Sequence, residues 1–205
     1  MNRRAFLKSA AVAAPAVAAL GASGSASAQD AEFRDDADIL NYALVAEYFL
    51  SQFYREGSGI LSGRDADYLA AIGADEDAHI AALTQTIQNL GEEPVQAPAI
   101  DYGKALESPT NILRFALRFE NVFAGAYLGA AAYVTNEDIL QAAAGIFGTE
   151  ERHAAIVANM LGLPAEGGVY VGAVNRPQAR ASVEAAIKPF LVASTELSEE
   201  AAVTL

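Results

Sequence analysis

The chain has 205 residues, 53% apolar and 19% charged, a composition that fits one folded domain with a tail and excludes disorder and a solvated coiled coil. Its 26 acidic against 13 basic residues give a net charge of −13, which disfavours nucleic acid and anionic membrane surfaces as partners. Without cysteine there is no disulfide scaffold, thiolate zinc site, cysteine nucleophile, cysteine-held iron–sulfur cluster or lipidated cysteine, and imidazole chemistry must use His79 or His153.

Residues 1–28 read as an address. A basic start, Asn2-Arg3-Arg4-Ala5-Phe6-Leu7-Lys8, leads into an Ala-rich apolar run to Leu20, and Ala26-Ser27-Ala28 offers a small-residue cleavage site. Pro15, Gly21 and Gly24 interrupt a stretch already short for a bilayer span, so stable membrane insertion is not expected. The paired arginines before Phe-Leu-Lys resemble the twin-arginine export signal. That resemblance implies a bacterial or archaeal protein handed folded to the twin-arginine translocase, often with a cofactor already inserted, and released in the periplasm or otherwise outside the cytoplasm. Cleavage removes three basic residues and no acid, leaving 10 basic against 26 acidic residues, a net of −16.

Four long helices follow in the pattern. Leu40, Leu44, Leu50 and Tyr54 recur at helical steps from Asp36 to about Arg55, with acids at the start, where a helix favours negative charge, and Gly57 at the end. Leu69, Ile72, Ile80 and Leu83 mark a second helix from about Asp65 to Leu90, stopped by Gly91. Ser108-Pro109, a cap followed by a first-turn proline, opens a third that runs to about Val134, and Asn136 opens a fourth ending near Met160. Residues 178–191 allow a short fifth. The first two helices and the last two are joined by short loops, whereas residues 91–107 are long enough to run the length of a bundle. Two hairpins and one long crossover define an all-α, ferritin-like arrangement of a four-helix bundle. The expected organisation is signal peptide 1–28, bundle 29–161 and C-terminal extension 162–205.

The two halves repeat each other. Glu47 is followed by Tyr54 and then, on the next helix, by Glu76 and His79; Glu120 is followed by Tyr127 and then by Glu150 and His153. Each half reads E-x6-Y, a loop, E-x-x-H. Glu and His three residues apart project from one helix face, so each pair can serve one metal centre. Four carboxylates carry a charge that two divalent cations neutralise and one does not. Glu76 and Glu150 then bridge, while Glu47, Glu120 and the two histidines are terminal. Each of these glutamates interrupts the apolar stripe of its helix, where an uncompensated charge is costly. Without metal, some of the four must therefore take up protons.

With these residues the chain resembles the ferritin-like di-iron carboxylate superfamily, whose ligand order is Glu, E-x-x-H, Glu, E-x-x-H. The resemblance spans about Asp36 to Leu161. More narrowly, the chain is similar to exported bacterial ferritin-like proteins with twin-arginine signals, some described as desiccation-related. The resemblance implies metal ligands Glu47, Glu76, His79, Glu120, Glu150 and His153, and gives Tyr54 and Tyr127 a catalytic role as hydrogen-bond donors or radical relays, core packing being the alternative for both. Asp75, Asp77, Glu151 and Arg152 read as solvated helix surface.

An oxygen- and nitrogen-rich donor set suits iron or manganese rather than copper or structural zinc. The expected function is an exported dinuclear metal protein, holding two iron ions per chain, that oxidises Fe(II) with dioxygen or hydrogen peroxide in iron handling or oxidative-stress defence. Manganese suits the same ligands, and a manganese-catalase-like disproportionation of peroxide needs no electron donor. A rubrerythrin-type peroxidase usually carries a four-cysteine rubredoxin domain, and this chain has no cysteine. The competing expectation is a non-catalytic, stress-related bundle with structural metal or none. A homo-oligomer is compatible with either.

Overall fold

Local capping sets where each helix begins. In the computed structural model, which describes residues 32–192, the Asp35 carboxylate accepts a hydrogen bond from the Asp38 backbone N–H and opens α1 (Asp36–Gly57). The second helix, α2 (Gly63–Asn89), starts two residues before the expected Asp65, at a glycine with φ of 60°. Gly91, with φ of 81°, ends it, because the left-handed turn lets the Glu92 N–H reach the Ile87 carbonyl. Ser108 Oγ accepts from the Asn111 N–H and Pro109 takes the first position of α3 (Pro109–Ala130). Asn136 caps α4 (Glu137–Met160) through the N–H groups of Asp138 and Ile139.

The third helix stops four residues short of the expected Val134. The Asp36 carboxylate accepts hydrogen bonds from Thr135 N–H, Thr135 Oγ1 and Asn136 N–H, which ties the α3–α4 turn to the start of α1. A short α5 (Arg180–Ile187) and one turn of 3-10 helix, Lys188–Phe190, lie inside the segment 178–191 expected to be helical. Among the described residues there are five α-helices and no strand, and no helix is long and apolar enough to cross a membrane. The export-signal reading falls on residues 1–28, outside the described residues.

The order of helices is that of two hairpins, α1–α2 and α3–α4, joined by the crossover at residues 90–108. Tyr102 anchors that crossover: its hydroxyl donates to the Phe49 carbonyl at 2.6 Å, and its ring meets those of Phe49, Phe53 and Phe115. Phe119 and Phe190 complete an aromatic cluster that fills one end of the bundle. Such rings bury large apolar areas and prefer the tilted and edge contacts seen here, so truncating one to alanine removes about 3–5 kcal/mol of stability.

The C-terminal extension packs against this framework. Val183 and Ile187 of α5 are buried in the core, and the chain at Leu191 pairs with the crossover at Ile100. Before α5 the backbone crosses α3 where Gly125 and Gly129 leave room. The Gln178 N–H donates to the Gly125 carbonyl at 2.8 Å, and a side-chain carbon at position 129 would lie 2.1 Å from the Gln178 carbonyl oxygen. Arg180 then pairs with Asp38 on α1 and with Glu184 on its own helix.

Candidate metal centre

The six residues of the repeat converge between the four helices. Glu47 comes from α1, Glu76 and His79 from α2, Glu120 from α3, and Glu150 and His153 from α4; the four glutamates and His153 are buried and His79 is half-buried. They form two overlapping groups. Glu47, Glu76, His79 and Glu150 each bring one ligand atom into a set whose members all lie within 4.8 Å, and Glu76, Glu120, Glu150 and His153 do the same. Glu76 and Glu150 belong to both groups, whereas Glu47 and Glu120 belong to one each.

Both imidazoles turn Nδ1 inward. His79 Nδ1 lies 3.2 Å from carboxylate oxygens of Glu47, Glu76 and Glu150. His153 Nδ1 lies 3.0 Å from Glu76 Oε1 and 3.6 Å from Glu120 Oε2. Glu76 thus presents Oε2 to one histidine and Oε1 to the other. Many of these contacts are close in distance yet misaligned for hydrogen bonding: Glu76 Oε1, Glu120 Oε2, both oxygens of Glu150 and His153 Nδ1 are buried without a hydrogen-bond partner. Buried polar atoms without partners cost free energy, and native proteins rarely keep several together. Lone pairs aimed at a shared space rather than at one another suit a cation there, and the donor set is the oxygen-rich one with imidazole that iron or manganese takes.

Electrostatics without metal assigns the protons. Burial pushes the Glu47 carboxyl well above its usual range, and the neighbouring charges of Glu150 and Glu76 add to the rise. Burial and Glu150 do the same to Glu120. Burial also opposes ionisation of Glu76, but contacts from His153, His79 and Glu47 outweigh it and hold its pKa at about 2. For His79 burial pulls downward, and the carboxylates of Glu150, Glu47 and Glu76 outweigh that to raise it to about 12. His153 is raised to about 11 by Glu120 and Glu76 against the same burial cost. Protons on Glu47, Glu120 and both imidazoles therefore compensate charge where no metal does.

The tyrosines pair across the bundle rather than along their own helices. Tyr54 on α1 donates to Glu120 on α3, and Tyr127 on α3 donates to Glu47 on α1 at 2.5 Å. Seven residues of helix rise about 10 Å, too far for a tyrosine to reach the glutamate of its own helix. In an antiparallel pair, however, each tyrosine stands level with the glutamate opposite. Each phenol orients a terminal carboxylate, and burial, with the adjacent Glu120 or Glu47, pushes both hydroxyl pKa values well above normal. Both phenols remain protonated donors at neutral pH.

Asp75 is the residue that sequence reasoning missed. Its side chain is 60% exposed, as a surface residue's would be, yet Oδ2 lies 3.1 Å from His153 Nε2. A carboxylate on the outer nitrogen fixes the tautomer that leaves Nδ1 facing inward, an arrangement common behind metal-binding histidines. Its place immediately before the E-x-x-H of α2 was the available signal, but its partner lies on the other half. The corresponding Thr149, before Glu150, instead donates to the Gly145 carbonyl and accepts from Arg152, so the repeat is not symmetric here. Asp77 also has a structural task, accepting from Ser51 at 2.6 Å and Arg55 at 3.1 Å. Replacing Asp75 by Asn should weaken metal binding about tenfold while leaving the melt of metal-free protein nearly unchanged. Competition against a chromogenic chelator measures this, and unchanged affinity would show that the contact does not orient His153.

A four-helix bundle of two hairpins, with two E-x-x-H helices and two single-glutamate helices around one buried cluster, is the ferritin-like class of protein. The model of the ferritin-like domain family matches residues 35–163, and the chain belongs to that family. No curated protein matches the chain in a sequence search. The ferritin-like domain and the carboxylate–histidine cluster together fit a dinuclear metal protein.

Proposed function

We propose that the chain is an exported dinuclear iron protein that oxidises Fe(II), with Glu47, Glu76, His79, Glu120, Glu150 and His153 as ligands. The observation that carries this reading is the pair of overlapping four-residue groups sharing Glu76 and Glu150. Two positions with two carboxylates in common bring two cations close enough to act on one oxidant. Each Fe(II) gives one electron, so one dioxygen with two protons yields hydrogen peroxide, or one peroxide with two protons yields two waters.

The chain's own residues supply the rest. Glu47 and Glu120 are held in place by Tyr127 and Tyr54, and His153 by Asp75. Loading metal displaces protons from Glu47, Glu120 and the imidazoles to solvent, and reduction of the oxidant takes up two protons from solvent in a later step. The apolar core around the cluster keeps bulk water away from the reacting centre. Anaerobic addition of Fe(II) to metal-free protein should load about two ions per chain, and admission of oxygen should then consume one dioxygen per two Fe(II). Protein that stays metal-free after this treatment would end the reading.

The export part rests on Arg3-Arg4 and the Ala-rich segment. Changing both arginines to lysine should leave folded precursor in the cytoplasm. Arrival of the double variant in the periplasm at the wild-type level would mean a different route.

A further inference from the structure

The two ends of the metal centre are finished differently. On the Glu120–His153 side the aromatic cluster of Phe49, Phe53, Phe115 and Phe119 fills the bundle. On the Glu47–His79 side lies a narrow cavity of about 50 Å³, bounded by all four long helices and lined almost wholly by apolar side chains, many of them alanine. Its lining includes Ala43, Leu83 and Ile146, each four residues, or about 6 Å along a helix, from Glu47, His79 and Glu150. The ring of Tyr127, whose hydroxyl holds Glu47, lines it too. A second apolar cavity, of about 70 Å³, shares Tyr127, Ala131 and Ala143. At the rim, Ala82 on α2 and Ala142 on α4 are exposed. The histidine on this side is also the more accessible, with 12% of the His79 side chain exposed against 3% for His153.

We infer that this cavity is the binding and entry site for dioxygen, serving the Glu47–His79 position and not the Glu120–His153 position. The inference rests on the dinuclear reading proposed above and names the oxidant that reading left open. A cavity with so little polar lining offers water and peroxide few hydrogen bonds, so each enters at the cost of bonds left behind in solvent. Dioxygen has none to lose and gains dispersion contacts. Large side chains would have filled the same volume; alanines on facing helices keep it open beside one metal position only.

The test uses xenon, which is apolar, of similar size and visible by diffraction, on the mature full-length chain without metal. Xenon under pressure should occupy the cavity beside Tyr127 in wild type. In Ala143→Phe, where the new ring projects into both apolar cavities, it should be excluded. The variant should load the same metal as wild type, since residue 143 is not a ligand, but its oxidation of Fe(II) by dioxygen should slow about tenfold, equivalent to about 1.4 kcal/mol of barrier. Oxidation by hydrogen peroxide should change less than about twofold by the same measure. Ala82→Leu at the exposed rim repeats the test without touching the interior. An empty cavity in xenon-pressurised wild type would overturn the inference, as would undiminished oxidation by dioxygen in variants that exclude xenon. Wild type that binds xenon but no metal overturns it through its premise, and metal analysis before any rate measurement separates that failure from the others.

Discussion

Glu76→Ala protein should take up almost no metal under conditions in which wild type takes up about two ions per chain. Glu76 presents one oxygen toward His79 and the other toward His153, and it is a member of both four-residue groups. Its removal takes a ligand from both positions and leaves both imidazoles without the anion between them. Losing a shared ligand should cost more than the 10–100-fold typical of an outer-shell change, and at both positions at once. Glu47→Ala makes the contrast. Glu47 belongs to one group only, so this variant should keep about one ion, held by Glu76, Glu120, Glu150 and His153. Metal analysis after anaerobic Fe(II) loading and desalting, with circular dichroism to confirm helicity, reads both counts. Equal retention in the two variants would show that Glu76 is not shared.

Metal-free protein should lose stability as pH rises through the neutral range, and metal should reverse the trend. Glu47 and Glu120 are raised above their unfolded values, so above about pH 4.5 the unfolded chain releases two protons that the folded chain keeps. Stability then falls with increasing pH. Above about pH 6.5 the histidines extend the same trend, because His79 and His153 hold their protons to about 12 and about 11 when folded. Glu76 acts in the opposite sense: held at about 2, it contributes stability above its unfolded value that is lost as pH falls toward 2. The maximum for metal-free protein therefore lies in mildly acidic solution. Each proton kept by the folded and lost by the unfolded chain costs about 1.4 kcal/mol per pH unit, so Tm should begin to fall above about pH 5 and, with both imidazoles holding theirs, fall by roughly 5 °C or more per unit between about pH 6.5 and 8. Metal displaces the protons of Glu47, Glu120 and the imidazoles, so its affinity rises with pH and the loaded protein is protected where the metal-free protein is weakest. Glu47→Gln with Glu120→Gln should flatten the carboxylate part of the metal-free profile and leave the histidine part. Melts of both proteins over this range decide the matter; superimposable profiles would mean that Glu47 and Glu120 titrate as they do in water.

The protonation pattern refines what the sequence implied. Four carboxylates on apolar stripes meant that some must be neutral without metal. Only the packed structure distinguishes Glu47 and Glu120, which hold their protons, from Glu76, whose ionised form is surrounded by both imidazoles.

What the sequence determined by itself was local or periodic. Helix starts follow from caps whose donors lie two or three residues away, as at Asp35, Ser108 and Asn136. The shared face of each E-x-x-H follows from the helical repeat, and loop lengths select two hairpins and a crossover. The tertiary structure decided which atoms meet across long separations. Tyr54 reaches Glu120 and Tyr127 reaches Glu47 because antiparallel α1 and α3 set them level, and Asp75 finds His153 from a different helix hairpin. The aromatic filling of one end and the alanine-lined cavity at the other were likewise not legible from the stripes, which read as apolar throughout. Periodicity reports which face is buried; whether facing side chains fill the space between them depends on how four helices and the crossover pack together.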